Sequence, residues 1–368
     1  MSRPKLLCID LRWIDKSGVG TYIKGIMPGI VDRLGDVTIA GLGNIERLRQ
    51  FDWASAENLK LIACHAKPYS LAEQLQLPLA IPSQTDLFFS PYYTIPLLYR
   101  GRLAVTVHDM SHRVVQEITS NPRKNLYARI MYMAVRKRAS VIFTVSRFSK
   151  SELLRLTTGP REENIIPTHL GISEEWSGAG RLPPARTGRY FVYVGNIKPY
   201  KNLGRLVDAF LKIRHLVPHD LVIIGQSEGL ITGESPHFFA TLKEARDRIH
   251  LTGFVSDQEL LSLVGHAEAL IMPSLYEGFG LPPLEAMAAG VPAAVARAAS
   301  LPEVCGEAAC YFDPLEVNDI ANTLVALATD DSLRQGLIIK GLEWSRSFTW
   351  NECSGRTAAA LRGALESR

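Results

Sequence analysis

The chain has 368 residues, of which 46% are hydrophobic and 21% are charged. This length is sufficient for two domains, and the composition is that of a globular protein rather than a disordered or fibrous one. The formal net charge of +4 is too small to indicate a nucleic-acid partner.

The cysteines and the N-terminal residues bear on the cellular compartment. The five cysteines are scattered, with no C-x-x-C pair, which favours a reducing compartment over a disulfide framework. The apolar run at residues 5–10 is too short for a signal peptide, and no stretch of about 18 apolar residues occurs. We therefore expect a cytoplasmic protein without a membrane-spanning segment.

Short apolar runs alternate with longer helical patterns along the chain. The predicted strands cover residues 5–10, 37–42, 59–63, 87–90, 102–107 and 141–145, and then 190–194, 220–224, 249–252, 269–272 and 293–296. Strand–helix alternation of this kind predicts parallel sheets wrapped by helices. The sequence therefore predicts two open α/β domains with a cleft between them, where ligands lie beyond the carboxyl ends of the strands.

A stretch rich in glycine, proline and arginine separates the two series of strands. It covers residues 177–188, and its composition is typical of an exposed linker. We predict an N-terminal domain over residues 1–176 and a C-terminal domain over residues 189–347.

Segment 121–138 is both basic and partly apolar. Leu126, Ile130, Met133 and Ala134 share one stripe of a predicted helix. Six basic residues accompany this stripe: Arg123, Lys124, Arg129, Arg136, Lys137 and Arg138. Two interpretations remain open: a helix packed through its apolar stripe with a solvated basic back, or a surface that contacts anionic lipid on the inner face of a membrane.

Two glutamates flank a glycine-containing loop that runs into a helix. Glu277 lies in the predicted turn at residues 273–280, and Glu285 lies early in the following helix. The N–H groups at a helix start can hold a phosphate, and a carboxylate can accept hydrogen bonds from two sugar hydroxyls. Glu285 could merely balance the helix dipole, but Glu277 has no such structural role. Gly278 and Gly280 allow a ligand close to the backbone, so the loop predicts a nucleotide-sugar site.

A lysine at a second helix start points to the same chemistry. Lys201 lies between the predicted strand at 190–194 and the helix at 203–216. A lysine there opposes the helix dipole, which an anion such as a diphosphate would offset. The negative charge on a departing diphosphate grows in the transition state, so the lysine would favour bond cleavage. The alternative is a solvated lysine without a ligand.

Two further features follow strands of the N-terminal half. Gly18, Val19 and Gly20 lie between the first strand and a helix, where they predict either a phosphate-facing loop or a tight turn. His108 ends the strand at 102–107, where it could face a ligand or simply bond to Asp109.

The loop containing Glu277 and Glu285 resembles the E-x7-E signature of the retaining GT-B glycosyltransferases of family 4, which include bacterial mannosyl- and glucosyltransferases. The flanking segments 253–260 and 300–304 are also similar to that family, and the resemblance covers nearly the whole chain. It implies two Rossmann-like domains with parallel sheets facing a central cleft, an N-terminal acceptor site and a C-terminal donor site. It also implies that the final segment, 348–368, crosses back onto the N-terminal domain.

The resemblance assigns roles to particular residues. Glu277, Lys201 and His108 would be catalytic, with Glu277 and His108 contacting the transferred sugar, while Glu285 would hold the ribose. The implied donor contacts are Gly18, Val19, Gly20, Asn196, Lys198, Lys201, Phe254, Gly278, Phe279, Gly280, Leu281 and Glu285. Asn196 stands where similar proteins have an arginine, which removes one positive charge that Lys198 could supply.

The predicted activity is retaining transfer of a hexose from a nucleoside diphosphate to an acceptor hydroxyl. No D-x-D motif is present, so we expect no catalytic metal and no cofactor besides the donor. GDP-mannose is the first expectation for the donor, UDP-glucose or UDP-GlcNAc the next, and a glycan or lipid-linked acceptor of polysaccharide or lipopolysaccharide assembly is expected. A nucleotide-sugar epimerase and a non-catalytic nucleotide- or glycan-binding scaffold remain as alternatives.

Overall fold

The computed structural model describes residues 3–70, 72–115, 122–160, 162–225 and 236–367. These residues form two compact units. The first contains residues 3–114, 122–171 and 349–367, and the second contains residues 172–348 together with Val115. The chain therefore passes from the first unit to the second after Gly171, and it returns to the first unit after Phe348.

In the described part of the first unit, seven parallel strands form one sheet in the order β3-β2-β1-β4-β5-β6-β7. The strands are β1 Leu6–Asp10, β2 Thr38–Gly43, β3 Leu59–Ala63, β4 Leu87–Ser90, β5 Leu103–Val107, β6 Ala139–Thr144 and β7 Ile165–Pro167. The register places Cys8 opposite Ala40 of β2 and Phe88 of β4. Strands β4 and β5 are buried throughout, because their continuous apolar runs suit a sheet covered on both faces.

Six parallel strands form the sheet of the second unit, again counting described residues, in the order β10-β9-β8-β11-β12-β13. They are β8 Tyr190–Val194, β9 Asp220–Ile224, β10 Ile249–Gly253, β11 Ala269–Met272, β12 Ala293–Ala296 and β13 Cys310–Phe312. Strand β8 lies between β9 and β11, so the loops that follow β8 and β11 start side by side at the carboxyl ends of two adjacent parallel strands, which we call one edge of the sheet.

Helices cover the sheets and connect successive strands. The α-helices of the first unit are Ser17–Arg33, Ile45–Leu48, Glu73–Ala80, Ser111–Val114, Pro122–Arg138, Arg147–Leu156 and Trp350–Glu366. Those of the second unit are Leu203–Ile213, Pro236–Glu244, Asp257–Gly265, Leu281–Ala288, Leu301–Cys305, Val317–Thr329 and Asp331–Ser345. Short 3₁₀ helices occur at Asp52–Ser55, Glu162–Asn164, Glu174–Arg181, Pro199–Lys201 and Gly306–Ala308.

The predicted α/β architecture with parallel sheets is confirmed. Every predicted strand is present, and its ends differ from the prediction by no more than two residues. The sequence did not reveal β7 and β13, which are edge strands of three residues each. Such short runs carry too little apolar pattern to be recognised.

The final helix, Trp350–Glu366, packs against helix Ser17–Arg33 within the first unit. Arg33 Nη2 donates to Asn351 Oδ1 at 2.6 Å, and Arg362 Nη2 donates to the carbonyl of Arg33 at 2.9 Å. A Cβ atom on Gly25 would lie 2.1 Å from the Trp350 ring, so glycine is required where the two helices meet.

The segment predicted as a linker, 177–188, is mostly exposed but is attached to the second unit. Ala179 is fully buried, and the hydroxyl of Ser262 donates to the carbonyl of Pro183 at 2.7 Å. The same hydroxyl accepts a hydrogen bond from the Ala185 N–H at 2.9 Å. The chain leaves the first unit before this segment. Its Gly–Pro-rich composition therefore marks a surface segment of the second unit and not the boundary itself.

Helix Pro122–Arg138 does not pack through the stripe that the sequence indicated. Leu126 and Ile130 are exposed, whereas the buried face is formed by Ala128, Met131, Tyr132 and Val135. Both sets have helical spacing, and the Tyr132 hydroxyl fixes the choice by donating to the carbonyl of Asp109 at 3.0 Å. The predicted packing stripe was therefore wrong.

The basic residues of this helix also differ from the prediction. Arg136 is buried and donates to the carbonyl of Pro160 at 2.6 Å, so it does not belong to a solvated basic face. Arg123, Lys124 and Arg129 are exposed. Across the described ranges of the chain, no helix combines the length and the apolar character needed to cross a bilayer.

Candidate active site

The loops that follow β8 and β11 are joined by hydrogen bonds at one edge of the second sheet. The Leu275 N–H donates to the carbonyl of Tyr200 at 2.8 Å. Asn202 Nδ2 donates to the carbonyls of Pro273 at 3.0 Å and Pro314 at 2.7 Å. Asn202 has φ of 61°, a left-handed conformation that asparagine tolerates better than most residues. This buried side chain, which the sequence analysis missed, therefore fixes the position of the neighbouring Lys201.

Lys201 and Glu277, predicted separately, form an ion pair. Lys201 Nζ lies 2.6 Å from Glu277 Oε1, and both side chains are more than four-fifths buried. The sequence analysis expected either an external anion, such as a diphosphate, or solvent around this lysine, and it gave Glu277 a ligand-binding role only. Both statements need correction, because in the structure the two groups neutralise each other. The pair holds the ammonium group beyond the carboxyl ends of β8 and β11, where an anionic ligand can compete with Glu277 for it.

A buried serine holds the glutamate loop. Ser300 Oγ lies 2.9 Å from the carbonyl oxygen of Glu277 and 2.7 Å from that of Phe279. Since a hydroxyl carries one hydrogen, the two carbonyls share it. Ser300 is fully buried, so it turns both carbonyls inward and fixes the loop that carries Glu277. The sequence analysis quoted this serine only as part of a flanking segment.

The helix after this loop has fewer free amides than predicted. Helix Leu281–Ala288 begins after Gly280, which has φ of 103°. Of the four N–H groups that a helix start leaves unpaired, Pro282 and Pro283 supply none, so the amides of Gly280 and Leu281 remain. The first turn contains no acidic residue, so its partial positive charge is not offset there. An anion at this helix start could therefore bind to two N–H groups and interact favourably with the helix dipole.

Glu285 lies one turn into the same helix, in a desolvated environment. Burial of its carboxyl group raises the pKa of Glu285 to about 7, although a hydrogen bond from Trp176 opposes this rise. Trp176 itself is buried. The sequence analysis missed this tryptophan, although an aromatic residue beside a Gly–Pro-rich segment is a sign of an anchor. The Trp176 indole favours the ionised carboxylate that could accept hydrogen bonds from a ligand.

Replacing Glu285 should change how stability depends on pH. Because burial raises the pKa of Glu285 above its unfolded value, the folded state binds more protons between about pH 4.5 and 7, and its stability falls as the pH rises through that window. Glu285→Gln cannot ionise, so its free energy of unfolding relative to wild type should increase by on the order of 2 kcal/mol from pH 5 to pH 8. Urea unfolding at both pH values measures this, with the exposed Glu343→Gln as a control that should show no such increase. A constant difference for Glu285→Gln would contradict the burial argument.

In the first unit, Gly18, Val19 and Gly20 lie in the first turn of helix Ser17–Arg33, not in a loop before it. The Gly20 N–H already donates to the carbonyl of Lys16 at 2.9 Å. A Cβ on Gly20 would lie 2.4 Å from the carbonyl oxygen of Ile14, whereas Gly18 has open space around it. Glycine is thus required at position 20 for packing, and residues 18–20 begin the helix instead of forming a loop before it.

His108 follows β5, as predicted, but it does not bond to Asp109. Its Nε2 lies 2.9 Å from the carbonyl of Pro91, so Nε2 carries the proton and donates. The Asp109 carboxylate instead accepts the Ser111 N–H at 2.8 Å. Burial lowers the pKa of His108, which favours a neutral ring whose Nδ1 can accept a hydrogen bond.

The remaining predicted donor residues lie at the same edge of the second sheet as the Lys201–Glu277 pair. The carbonyl of Asn196 accepts a hydrogen bond from the Tyr193 hydroxyl at 3.2 Å. Lys198 Nζ lies 5.8 Å from the centre of the Tyr200 ring. Phe254 follows β10 and is 80% exposed, which is unusual for phenylalanine and leaves its ring free to contact a ligand.

Comparison with known proteins identifies the family of this chain. The sequence profile of the family described as "Glycosyl transferases group 1" matches residues 180–344. The chain is 31% identical over 290 residues to "O-antigen chain mannosyltransferase B" of Escherichia coli, which covers 75% of this chain and 74% of that protein. The chain belongs to the group 1 glycosyltransferases. The family resemblance and the enzyme class predicted from the sequence are thereby confirmed.

A second relative and a solved structure agree with this family. The "Serotype-specific mannosyltransferase WbdA" of Escherichia coli is 27% identical over 227 residues, covering 58% of this chain and 28% of that longer protein. Sucrose-phosphate synthase from Thermosynechococcus elongatus superimposes with a TM-score of 0.76 and 17% identity, covering 98% of this chain and 99% of that one. At this identity the likeness shows the fold alone, which is the GT-B glycosyltransferase fold with two Rossmann-like domains.

Proposed function

We propose that this glycosyltransferase transfers mannose from GDP-mannose, with retention of anomeric configuration, to a hydroxyl of a glycan or lipid-linked acceptor in polysaccharide assembly. The observation that carries the chemistry is the Lys201–Glu277 pair, which lies where the strands β8 and β11 end. The choice of mannose and of a polysaccharide product is supported by the relatives described as mannosyltransferases.

The proposal gives distinct roles to the site residues of the second unit. Lys201 and the amides of Gly280 and Leu281 bind the diphosphate. Glu285 accepts hydrogen bonds from the ribose hydroxyls, and Glu277 accepts them from the transferred sugar. The roles of His108 and of residues 18–20 in the first unit, and of Asn196, Lys198, Phe254, Gly278 and Phe279 as donor contacts, remain predictions.

In the proposed reaction the acceptor attacks from the face that the diphosphate leaves. The bond between the sugar C1 and the phosphate oxygen breaks, and a bond between C1 and the acceptor oxygen forms. The acceptor proton passes to an oxygen of the departing diphosphate. Negative charge develops on that diphosphate, so Lys201 shifts from Glu277 towards it and stabilises the transition state more than the bound donor. We further propose that no metal takes part, since the sequence lacks a D-x-D motif.

Thermal-shift measurements with GDP, UDP and ADP test the donor. A nucleotide at ~100 times its Kd should stabilise the folded protein by about 2.7 kcal/mol, and we expect GDP to give the largest shift at equal concentration. The exposed Lys212→Ala variant, whose lysine contacts Asn318, is a matched control and should behave as wild type. A larger shift with UDP would overturn the GDP-mannose proposal and leave the family assignment intact.

We also propose that the first unit contacts an anionic membrane surface. Leu126 and Ile130 are exposed on helix Pro122–Arg138, beside its exposed basic residues. Helix Glu73–Ala80 exposes Leu75 and Leu79. Leu97 links this helix to helix Pro122–Arg138, because its N–H donates to Gln74 and its carbonyl accepts a hydrogen bond from Arg138. Exposed leucines next to lysine and arginine are typical of a protein that lies on a bilayer.

Vesicle sedimentation tests this surface. The protein should bind vesicles that contain phosphatidylglycerol, bind neutral phosphatidylcholine vesicles less, and dissociate as salt screens the charges. The double substitution Leu126→Asp and Ile130→Asp should abolish binding. Ile339→Asp is the matched control, because Ile339 is an exposed isoleucine of the second unit. Equal binding by both variants would contradict the proposed surface.

A further inference from the structure

Four aromatic side chains gather at one edge of the first sheet, and the proposed donor chemistry does not use them. We call Trp13, Tyr69, Tyr92 and Tyr93 the aromatic cluster. The Trp13 ring centre lies 5.3 Å from that of Tyr69 and 4.3 Å from that of Tyr92. Tyr92 and Tyr93 are 4.6 Å apart between ring centres. These residues follow β1, β3 and β4, so they lie beyond the carboxyl ends of the strands, where open α/β sheets bind ligands.

A buried ionic network fixes the loops that carry this cluster. Arg12, next to Trp13, donates through Nε and Nη2 to the two oxygens of Asp10 at 2.8 and 2.7 Å. Its Nη2 also donates to Glu73 Oε1 at 2.7 Å, and Glu73 Oε2 accepts the Tyr69 N–H at 2.9 Å. The side chains of Arg12, Asp10 and Glu73 are at most 3% exposed. Burying three charges gives little net stability, so its effect here is to hold Trp13 and Tyr69 in a set geometry.

Tyr69 is presented to solvent at a conformational cost. Its φ of 63° is left-handed, a conformation that is unfavourable for a bulky residue. The residue is nevertheless 47% exposed, and its hydroxyl lies 2.5 Å from that of Tyr92. Strain retained for an exposed aromatic ring indicates a functional position.

Trp13 contributes a polar group that the protein does not satisfy. Its side chain is 6% exposed, and its Nε1 has no hydrogen-bond partner among the described residues. A buried N–H without a partner destabilises the folded protein, because it has lost its hydrogen bond to water. Because this nitrogen is shielded from solvent in the structure, a ligand hydroxyl would remove this destabilisation after a shift of the neighbouring rings.

We propose that the aromatic cluster is the platform for a sugar ring of the acceptor glycan, an assignment that rests on the proposed glycosyl transfer. A pyranose has an apolar C–H face and a rim of hydroxyls. Aromatic rings with polar edges match both features, since the exposed Tyr69 ring packs on the C–H face while the tyrosine hydroxyls and, after that shift, the Trp13 N–H bond to the rim. A polyprenyl chain would instead favour aliphatic walls without unpaired polar groups. Tyr92 lies 6.2 Å from His108 between ring centres, which joins the platform to the histidine predicted to contact the transferred sugar.

Saturation-transfer NMR on the full chain, without any donor, tests the platform. The probes are methyl α-mannobioside as the sugar and farnesyl phosphate as a short polyprenyl competitor. Irradiation of the aromatic protons should saturate the ring protons of the mannobioside, and farnesyl phosphate should not displace it. Tyr69→Ala should weaken mannobioside binding about tenfold, which corresponds to about 1.4 kcal/mol. Phe51→Ala is the matched control, because Phe51 stacks on Trp53 outside the cluster.

Trp13→Phe separates recognition from a structural role. It keeps an aromatic ring but removes the N–H, so it should weaken mannobioside binding about threefold. Since phenylalanine is smaller than the buried tryptophan, a somewhat lower Tm is also expected. The GDP-induced thermal shift should be unchanged in Tyr69→Ala and Trp13→Phe, which shows that both variants are folded.

Three results would overturn the platform: no saturation transfer to the mannobioside, transfer that neither variant weakens, or displacement by farnesyl phosphate. Absence of any GDP effect on wild type would defeat the proposed donor instead, since the mannobioside is measured alone.

Discussion

Lys201→Ala is expected to lower kcat by about 10²–10³-fold while changing the affinity for the donor by less than about tenfold. In the proposed reaction the lysine stabilises the growing charge of the leaving diphosphate, so most of its contribution should appear in the transition state. In the free enzyme its charge is already satisfied by Glu277 at 2.6 Å, which limits what it can add to donor binding. Steady-state kinetics with GDP-mannose, together with donor binding by calorimetry, measure both quantities.

Two controls make the Lys201 result interpretable. Lys212→Ala removes an exposed lysine of the same unit and should leave kcat unchanged. Lys201→Ala leaves a mostly buried Glu277 without its partner, so the Tm must be measured to show that the variant is folded at the assay temperature. Equal losses in kcat and in donor affinity would mean that Lys201 does not act specifically in the transition state.

Glu277→Gln should distinguish the role of Glu277 from that of Lys201. Removal of the carboxylate leaves the Lys201 charge free to attract a diphosphate, so GDP should bind a few-fold more tightly than to wild type. The hydrogen bonds that Glu277 is proposed to accept from the sugar hydroxyls lose their charged acceptor. Since hydrogen bonds to a charged group contribute about 1.5–3 kcal/mol each, kcat should fall by about 10²-fold. Opposite changes in product affinity and turnover are the signature of this residue.

Glu277→Gln is nearly isosteric, and the loop that carries it is held by Ser300 independently of the carboxylate. The substitution is therefore expected to leave the loop in place, and an unchanged Tm would show this directly. Weaker GDP binding in Glu277→Gln would contradict the account, because it would mean that Glu277 serves only to position Lys201 for the phosphate.

The sequence was most informative where a single strand or loop determines the structure. Strands such as β8 and β11 are continuous apolar runs, so their ends were located well, and so was the edge of the sheet at which Lys201 and Glu277 lie. Their direct contact depends on β8 lying beside β11, which is a property of the strand order rather than of any local pattern. The lysine at a helix start therefore indicated the need for an anion but not that Glu277 supplies one.

Residues that support the site were harder to predict because their roles depend on packing. Ser300 follows β12, and only the fold brings its hydroxyl to the carbonyls of the glutamate loop. Trp176, which donates to Glu285, lies immediately before the segment that was predicted to be a linker. Helix Pro122–Arg138 offered two apolar stripes of equal spacing, and the contact of Tyr132 with the carbonyl of Asp109 decided between them. Helical periodicity alone cannot make that choice.

The contact between Lys201 and Glu277 also explains how both charged groups are stabilised in the protein without substrate. An isolated lysine near a helix start would be destabilised by the dipole, and an isolated buried carboxylate would favour protonation. Pairing satisfies both groups in the free protein, and in the proposed reaction a diphosphate then binds Lys201 while the sugar binds Glu277. The same contact can therefore stabilise the free protein and prepare the two groups for different parts of one substrate.

A crystal structure of the protein with GDP-mannose tests the central claim most directly. We expect a diphosphate oxygen within about 2.7–3.2 Å of Lys201 Nζ, with the ribose hydroxyls on the Glu285 carboxylate and the mannose on Glu277. GDP-mannose bound elsewhere, with the contact between Lys201 and Glu277 unchanged, would contradict it.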